Sequence, residues 1–151
     1  MNDQEGRVGE ILAEHQVLAL ATSHRDRPWV SNVFFGEEVS DEKTTLYFAT
    51  LKPSRKWRQI TLNPNVSFAV GDPLPSRWLQ GRGVAAKVED PHEKDRIHSL
   101  IGAKAPAYKG FVSAVEFDVF RIEVAEIRVV DLTDSTPRVF WKIKTKTEDL
   151  T

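Results

Sequence analysis

The 151-residue sequence contains no cysteine, so disulfides, thiolate nucleophiles and cysteine-ligated zinc are excluded. Neither sign of charge is in excess: 21 Lys and Arg against 22 Asp and Glu leave a formal net charge of −1. That balance argues against a general nucleic-acid binder, which would show a strong basic excess. No apolar run approaches the roughly 18 residues that a membrane span needs. The charged start MNDQEGR has no signal-peptide core, so a cytoplasmic protein is expected. The four histidines, His15, His24, His92 and His98, have no HExxH-type spacing, and a metal site is not expected. Internal repeats, low-complexity segments and a dinucleotide-type GxGxxG are also missing. What remains is a chain of ordinary length for one domain, 1–151, able to bury a core without metal or disulfide support.

The most informative stretch is TTLYFATLKPSRKWRQITLNPN, Thr44 to Asn65. Thr44 to Thr50 is rich in β-branched and aromatic residues and reads as a strand, with Leu46 and Phe48 on one face and Tyr47 on the other. Leu51-Lys52-Pro53 breaks it. Ser54 is a good N-cap, Trp57 and Ile60 fall at helical spacing, and Pro64 ends the run, so a helix is predicted over about Arg55 to Leu62. Its first turn carries Arg55, Lys56 and Arg58, where the positive end of the helix dipole favours Asp or Glu. Free N–H groups, a hydroxyl and fixed cations at a helix start are what a phosphate requires. A solvated basic turn has the same composition, and these residues alone leave the two readings balanced.

Around this stretch the chain alternates short strands and turns. Gln4 to His15 places Val8, Ile11 and Leu12 on one helical face, a helix expected to plug or cap the sheet. Val17 to Thr22 and Trp29 to Gly36 form a hairpin across His24 to Pro28, and His15 and His24 read as surface or turn residues. Ser31 and Asn32 interrupt an apolar run: one faces a partner other than core, or both are small polar groups satisfied by backbone. Val66 to Asp72 alternates as a half-buried strand before Pro73 and Pro75. Trp78 to Glu89 carries Gly81 and Gly83 on one face, which suggests a bulge or a close approach to the backbone. Asp90-Pro91-His92-Glu93 is a strong helix start, with Gly102 as the expected stop and 103–110 as a loop. Phe111 to Asp131 alternates with a break near Ala125-Glu126, Arg138 to Lys144 is a last strand, and 145–151 is a charged tail. Six or seven mostly antiparallel strands and three helices make a mainly β protein, a small closed or split β-barrel.

The segment FATLKPSRKWRQITLNPNVSFAV resembles the phosphate-binding segment of the FMN-binding split-barrel family, the pyridoxamine 5'-phosphate oxidase-like flavoproteins. The likeness runs in the same order from about Ile11 to Asp90. It implies a six-stranded antiparallel split barrel in which Thr50, Ser54, Arg55 and Lys56 grip the FMN phosphate. It also implies ring contacts from Val30, Ser31, Asn32 and Val33, and places Phe48, Trp78 and Gln80 among the cofactor-binding candidates. Members of this size are homodimers with flavin sites at the interface, which would let Phe140 or Trp141 reach the neighbour's flavin. Surplus apolar residues such as Trp29, Phe35 and Trp141 fit that pairing. For Trp78, Phe140 and Trp141, plain packing is the competing reading.

No nucleophile, base and orienting group can be assembled from the sequence, so any redox chemistry would belong to the cofactor. True pyridoxamine 5'-phosphate oxidases carry a C-terminal Arg-x-His; here Arg138-Val139-Phe140 lacks the histidine. The expectation is an FMN-dependent oxidoreductase acting on a small molecule, with a nicotinamide nucleotide as a possible reductant. The alternatives are a flavin-storing module without turnover, or a relative that holds haem or a deazaflavin in the same barrel.

Overall fold

The computed structural model of the chain describes residues 3–40, 43–71, 76–112, 116–133 and 138–144. Eleven elements follow one another: α1 (Asp3–Ala13), β1 (Val17–His24), β2 (Arg27–Val39), β3 (Thr44–Leu51), α2 (Arg55–Leu62), β4 (Asn65–Gly71), β5 (Arg77–Val88), α3 (Pro91–Lys104), α4 (Ala107–Val112), β6 (Phe117–Asp131) and β7 (Arg138–Lys144). All described strand pairings are antiparallel, in the order β3-β2-β1-β4-β5-β6-β7, and β3 also pairs with β6. Six strands therefore close into a barrel. Closure removes the edges that an open sheet would expose to aggregation.

The long strand β6 makes the barrel a split one. Its first half, Phe117 to Glu123, pairs with β3, whereas its second half, Glu126 to Asp131, pairs with β7. Between the halves the β5 register jumps, Arg82 lying opposite Glu126 and Gly83 opposite Val124. The break expected near Ala125-Glu126 is thus a bulge inside one continuous strand. The two β5 glycines are needed beside it. A Cβ on Gly83 would sit 2.3 Å from the Glu123 carbonyl oxygen, and one on Gly81 would sit 2.5 Å from both the Glu126 carbonyl oxygen and the Phe68 ring.

Alternation on the strands divides the apolar residues between two cores. Leu18, Leu20, Leu46, Phe48, Val66, Phe68, Val70 and Leu79 point into the barrel, and α1 closes one end with Val8, Ile11 and Leu12, all at most 1% exposed. Each such buried side chain contributes about 1.5–3 kcal/mol. A second core lies outside β3 and β6, where Tyr47, Ala49 and Val119 meet Ile97, Ile101 and Tyr108 of α3 and α4. This covering explains why β3 is buried on both faces from Thr44 to Thr50. Phe35 is fully buried, with the Lys104 ammonium 3.4 Å from its ring centroid, so it is core and not surplus surface.

The α3–α4 region departs from expectation. Gly102 does not stop α3, which runs to Lys104 and is capped by Ala105, and α4 occupies much of the stretch read as a loop. A Cβ on Gly102 would meet the Lys109 side chain at 2.9 Å, so this glycine is there to let α4 approach. A six-residue helix is too short to show a 3.6 period, and only tertiary contact with the second core sustains it. The residues 72–75 and 145–151, read as a strand stop and a tail, lie outside the described residues.

Gly83→Ala should cost roughly 1–3 kcal/mol, because backbone and not a flexible side-chain tip occupies the space its methyl needs. Gly9→Ala, in α1 with nothing within 4 Å of the added methyl, should instead gain up to about 1 kcal/mol. Urea unfolding of the two variants beside the parent checks both signs.

Candidate functional site

The site grows out of the end of β3. Ser54 caps α2: its hydroxyl accepts the Trp57 N–H at 3.2 Å, and the Thr50 hydroxyl lies 2.9 Å from the Ser54 oxygen. The two hydroxyls therefore stand together at the positive end of the helix dipole, where orphan N–H groups face outward.

Three sets of bonds fix the position of α2. Thr22 donates to the Gln59 carboxamide oxygen at 2.6 Å, and the Gln59 amide donates to the Arg27 carbonyl at 3.1 Å. The Asn63 amide donates to the Ser23 carbonyl at 3.1 Å. On the opposite side the Trp57 indole N–H donates to Asp118 at 2.6 Å, and Asp118 also faces Lys87 at 3.5 Å. Because Asp118 sits opposite Thr50 in the β3–β6 register, one cross-strand pair holds both the helix and a hydroxyl of the site. This anchor escaped the sequence reading; its only signal is a single acid inside the alternation Phe117-Asp118-Val119-Phe120.

The predicted cations separate into different environments. Lys56 lies with Thr50 and Ser54 on the wall of a cleft of about 460 Å³. It is half-buried, burial pushes its pKa below the ordinary lysine value, and among the described residues no carboxylate pairs with it. Arg55 turns away from the cleft and lays its guanidinium over the Trp29 ring, 4.2 Å from the centroid. Lys52, not counted among the candidates, places its ammonium 5.4 Å from the Trp57 ring centroid.

The ring-contact candidates on β2 also divide by the strand's alternation. Asn32 and Val33 line the cleft, joined by Phe34. Ser31 points into the barrel opposite Leu20, and its hydroxyl is buried with no hydrogen-bond partner among the described residues. Val30 is 63% exposed on the outer face. Phe48 is not at the cleft: it stacks on Phe120 inside the barrel, ring centroids 5.4 Å apart. Thr50 shares its strand face but lies two residues further on, about 7 Å nearer the mouth, so only Thr50 reaches the site. Trp78 lines a second, open groove of about 710 Å³ with His15, Ala19 and Asn32. Gln80 lies one step along the same outer face, opposite Ala69. Within one chain, Val17 and Asn32 border both the cleft and this groove. Trp141 is held in β7 opposite Val129, and its side chain, like that of Phe140, lies outside the described residues.

The aromatic part of the cleft wall was not foreseen. Leu51, Tyr108, Phe111 and Phe117 complete the wall, so its lining combines two hydroxyls and a cation with aromatic rings. Among the described residues that line it there is no histidine and no carboxylate.

A family profile described as pyridoxamine 5'-phosphate oxidase matches residues 5–131. Comparison with curated proteins finds no match. Among solved structures, a Listeria innocua protein named as a candidate pyridoxamine 5'-phosphate oxidase is 25% identical, with 84% of this chain and 98% of that one covered at a TM-score of 0.67. General Stress Protein 26 of Bacillus anthracis is 21% identical over 94% of this chain and 100% of its own, at a TM-score of 0.71. A heme binding protein of Mycobacterium smegmatis is 20% identical, with 95% of this chain but 59% of that one covered, at a TM-score of 0.74. The last two likenesses speak to the fold alone. With the profile spanning most of the sequence and the split barrel matching in space, the chain belongs to the pyridoxamine 5'-phosphate oxidase family.

Proposed function

We propose that this protein binds FMN in the cleft at the start of α2, as a homodimer, and that the flavin exchanges electrons with a small molecule. The observation that carries the reading is Lys56: a half-buried ammonium with no acidic partner among the described residues, beside two hydroxyls and a helix N-terminus. Burying an uncompensated cation is costly. A phosphate dianion would turn that cost into charge-assisted hydrogen bonds from Lys56, Ser54, Thr50 and the free N–H groups of α2. A terminal phosphate favours the mononucleotide, and the sequence has no GxGxxG for a dinucleotide.

From that anchor the cleft leads to Asn32 and Val33, so the ring would lie along β2. The flavin would supply the redox chemistry. The chain's own residues would hold the phosphate, orient the ring and shield one of its faces; among the described residues no lining side chain is an acid or a histidine that could act as a proton carrier. Proteins of this family are commonly dimeric, and the outer face supplies a surface for pairing. Val17 and Val30 are 38% and 63% exposed there, next to the small residues Ala19 and Ala69. In that arrangement Trp78, Gln80 and Trp141 would approach the flavin held by the neighbouring subunit. Haem is less well matched. Among the described residues no His, Cys or Met lines the cleft, and the tyrosine that does, Tyr108, has its hydroxyl 2.8 Å from His98.

Lys56→Met should weaken FMN binding by roughly ten- to a hundredfold while changing riboflavin affinity little. The ligand-free melting temperature should hold or rise, because a desolvated charge has been removed. Arg55→Ala should cost less, since that side chain is engaged with Trp29. Equal affinities of the parent for FMN and riboflavin would show that no phosphate is held here, and a Soret band in place of a flavin spectrum would favour haem.

The pH dependence has a defined sign. Burial lowers the Lys56 pKa, so the ammonium is lost at lower pH than in an ordinary lysine. FMN affinity should therefore fall as the pH rises, at a lower pH than an ordinary lysine would set, and Lys56→Arg should remove that lysine-dependent loss. In the ligand-free protein the effect is opposite: the penalty of the buried charge is relieved as pH rises through the lowered pKa. Fluorescence titration of FMN between neutral and alkaline pH reads the first effect.

Sedimentation at micromolar concentration should give about twice 17.1 kDa. A monomer would remove the two-subunit flavin site. Reduction of the bound flavin by a nicotinamide nucleotide would separate an oxidoreductase from a storage module.

A further inference from the structure

Charge is unevenly divided over the fold. Residues 17–36 and 44–71, which form β1, most of β2, β3, α2 and β4, hold Arg25, Arg27, Lys52, Arg55, Lys56 and Arg58 against Asp26 alone. Six cations and one acid give this part +5, and since the whole chain carries −1, the remainder carries −6. Elsewhere the arginines are engaged by carboxylates: Arg7 pairs with Asp131, Arg77 with Glu10 and Glu14, Arg82 and Arg128 with Glu126, and Arg96 with Glu38 and Glu93. Among the described side chains five arginines have no carboxylate partner. Four of them, Arg25, Arg27, Arg55 and Arg58, belong to the β1–β2 turn and α2, and the fifth, Arg121, lies on β6 opposite Tyr47.

The packing of α2 brings the four together. The Gln59 amide on the Arg27 carbonyl and the Asn63 amide on the Ser23 carbonyl, both at 3.1 Å, lay the helix along the end of the β1–β2 hairpin. Arg27 and Trp29 share one face of β2 by alternation, Arg55 rests on the Trp29 ring, and Arg58 follows Arg55 one helical turn on. All four are exposed, and none of them lines the cleft or the open groove. The turn itself supplies a second observation. His24 pairs with Arg27, so Arg25 and Asp26 make a two-residue turn in which φ is 52° and 61°. Such a turn favours Asn and Gly, so local folding does not account for an arginine at its first position.

We propose that this arginine face is a docking surface for an acidic protein segment, a run of Glu and Asp on a partner chain. Neighbouring guanidinium groups without counter-charges repel one another. Carboxylates relieve that repulsion and suit the guanidinium fork, as when Arg96 takes Glu38 through two bonds of 3.0 Å. A small anion is held in a concave site, whereas these side chains project from a turn and from the outer face of a helix. A long phosphate chain would run past the patch onto a remainder that carries −6, so a partner with a short acidic footprint is the better match. The surface lies across α2 from the cleft, and the proposal goes beyond the FMN reading without depending on it.

The test titrates a fluorescein-labelled glutamate dodecamer at low salt by anisotropy, beside a thymidylate dodecamer of similar charge. The parent protein is compared with Arg25→Asn, Arg58→Ala and Arg121→Ala. The peptide should bind saturably and lose affinity as salt is added. Arg25→Asn and Arg58→Ala should each weaken it by roughly two- to fivefold, and Arg121→Ala, which removes an equally unpaired arginine outside the patch, should not. Folding should be intact in all three, and the melting temperature of Arg25→Asn should hold or rise, because Asn tolerates positive φ better than Arg. Loading with FMN should change the peptide affinity less than twofold. The proposal fails if the peptide shows no saturable binding or if Arg121→Ala weakens it as much as Arg58→Ala. It fails too if the thymidylate strand binds as tightly as the peptide, which would make the face a nucleic-acid surface, or if FMN displaces the peptide, which would place the peptide at Lys56. If FMN does not bind but the peptide does, in an Arg25- and Arg58-dependent way, the FMN reading falls and the docking surface stands.

Discussion

The pairing of β3 with the first half of β6 is the contact on which the rest of the structure depends. It closes the six-stranded barrel by pairing the edge of β3 with β6. The same register places Phe48 opposite Phe120 for the central stack and Thr50 opposite Asp118 at the mouth. Shift that register by one residue and both faces invert: Phe48 would leave the core, and Asp118 would no longer reach the Trp57 indole. Core packing and site geometry are thus two readings of one ladder.

A second constraint follows from the length of β6. One strand cannot pair with β3 and β7 on the same edge at the same level, so the bulge at Ala125 and the glycines of β5 divide it into two regions. Below the bulge the outer face is covered by α3 and α4, and this cover brings Tyr108 and Phe111 to the cleft. Above it the strand edge belongs to β7. On the far side of the barrel, β1 and β4 contribute the small residues Ala19, Ala69 and Gly71 to an open groove bordered by Trp78 and Asn32. The barrel is covered by its own helices on one side and carries this open groove on the other.

Ion pairs hold the coverings in place more than they hold the core. Arg96 of α3 grips Glu38 of β2 through two bonds of 3.0 Å, and it also meets Glu93 and the Tyr47 hydroxyl. Lys104 is buried between Glu37, the Leu12 carbonyl and the Phe35 ring, which ties α3 to α1 and β2. Exposed pairs of this kind contribute little singly, and here they act as a network that sets where α3 lies, and through it where α4 lies.

Much of the fold was legible because its signals are local. The alternation Val66-Phe68-Val70, the Asp90-Pro91 cap and the Ser54 cap each depend on residues within one or two turns of chain, and each element formed where its pattern placed it. The barrel class followed from strand count and turn chemistry. The clustering of Thr50, Ser54 and Lys56 was legible for the same reason, since they lie within seven positions of one another and a strand end followed by a helix start must bring them close. What the sequence could not give was anything that depends on side-chain direction or on distant segments. Only the tertiary structure turned Arg55 onto Trp29 and away from Lys56, sank Phe48 into the barrel one pleat below Thr50, and set Trp78 and Gln80 on a face apart from the cleft. Only it brought Asp118 to Trp57 across 61 positions, and α4 to Phe34, because those contacts depend on how strands register and helices pack, which no local pattern encodes.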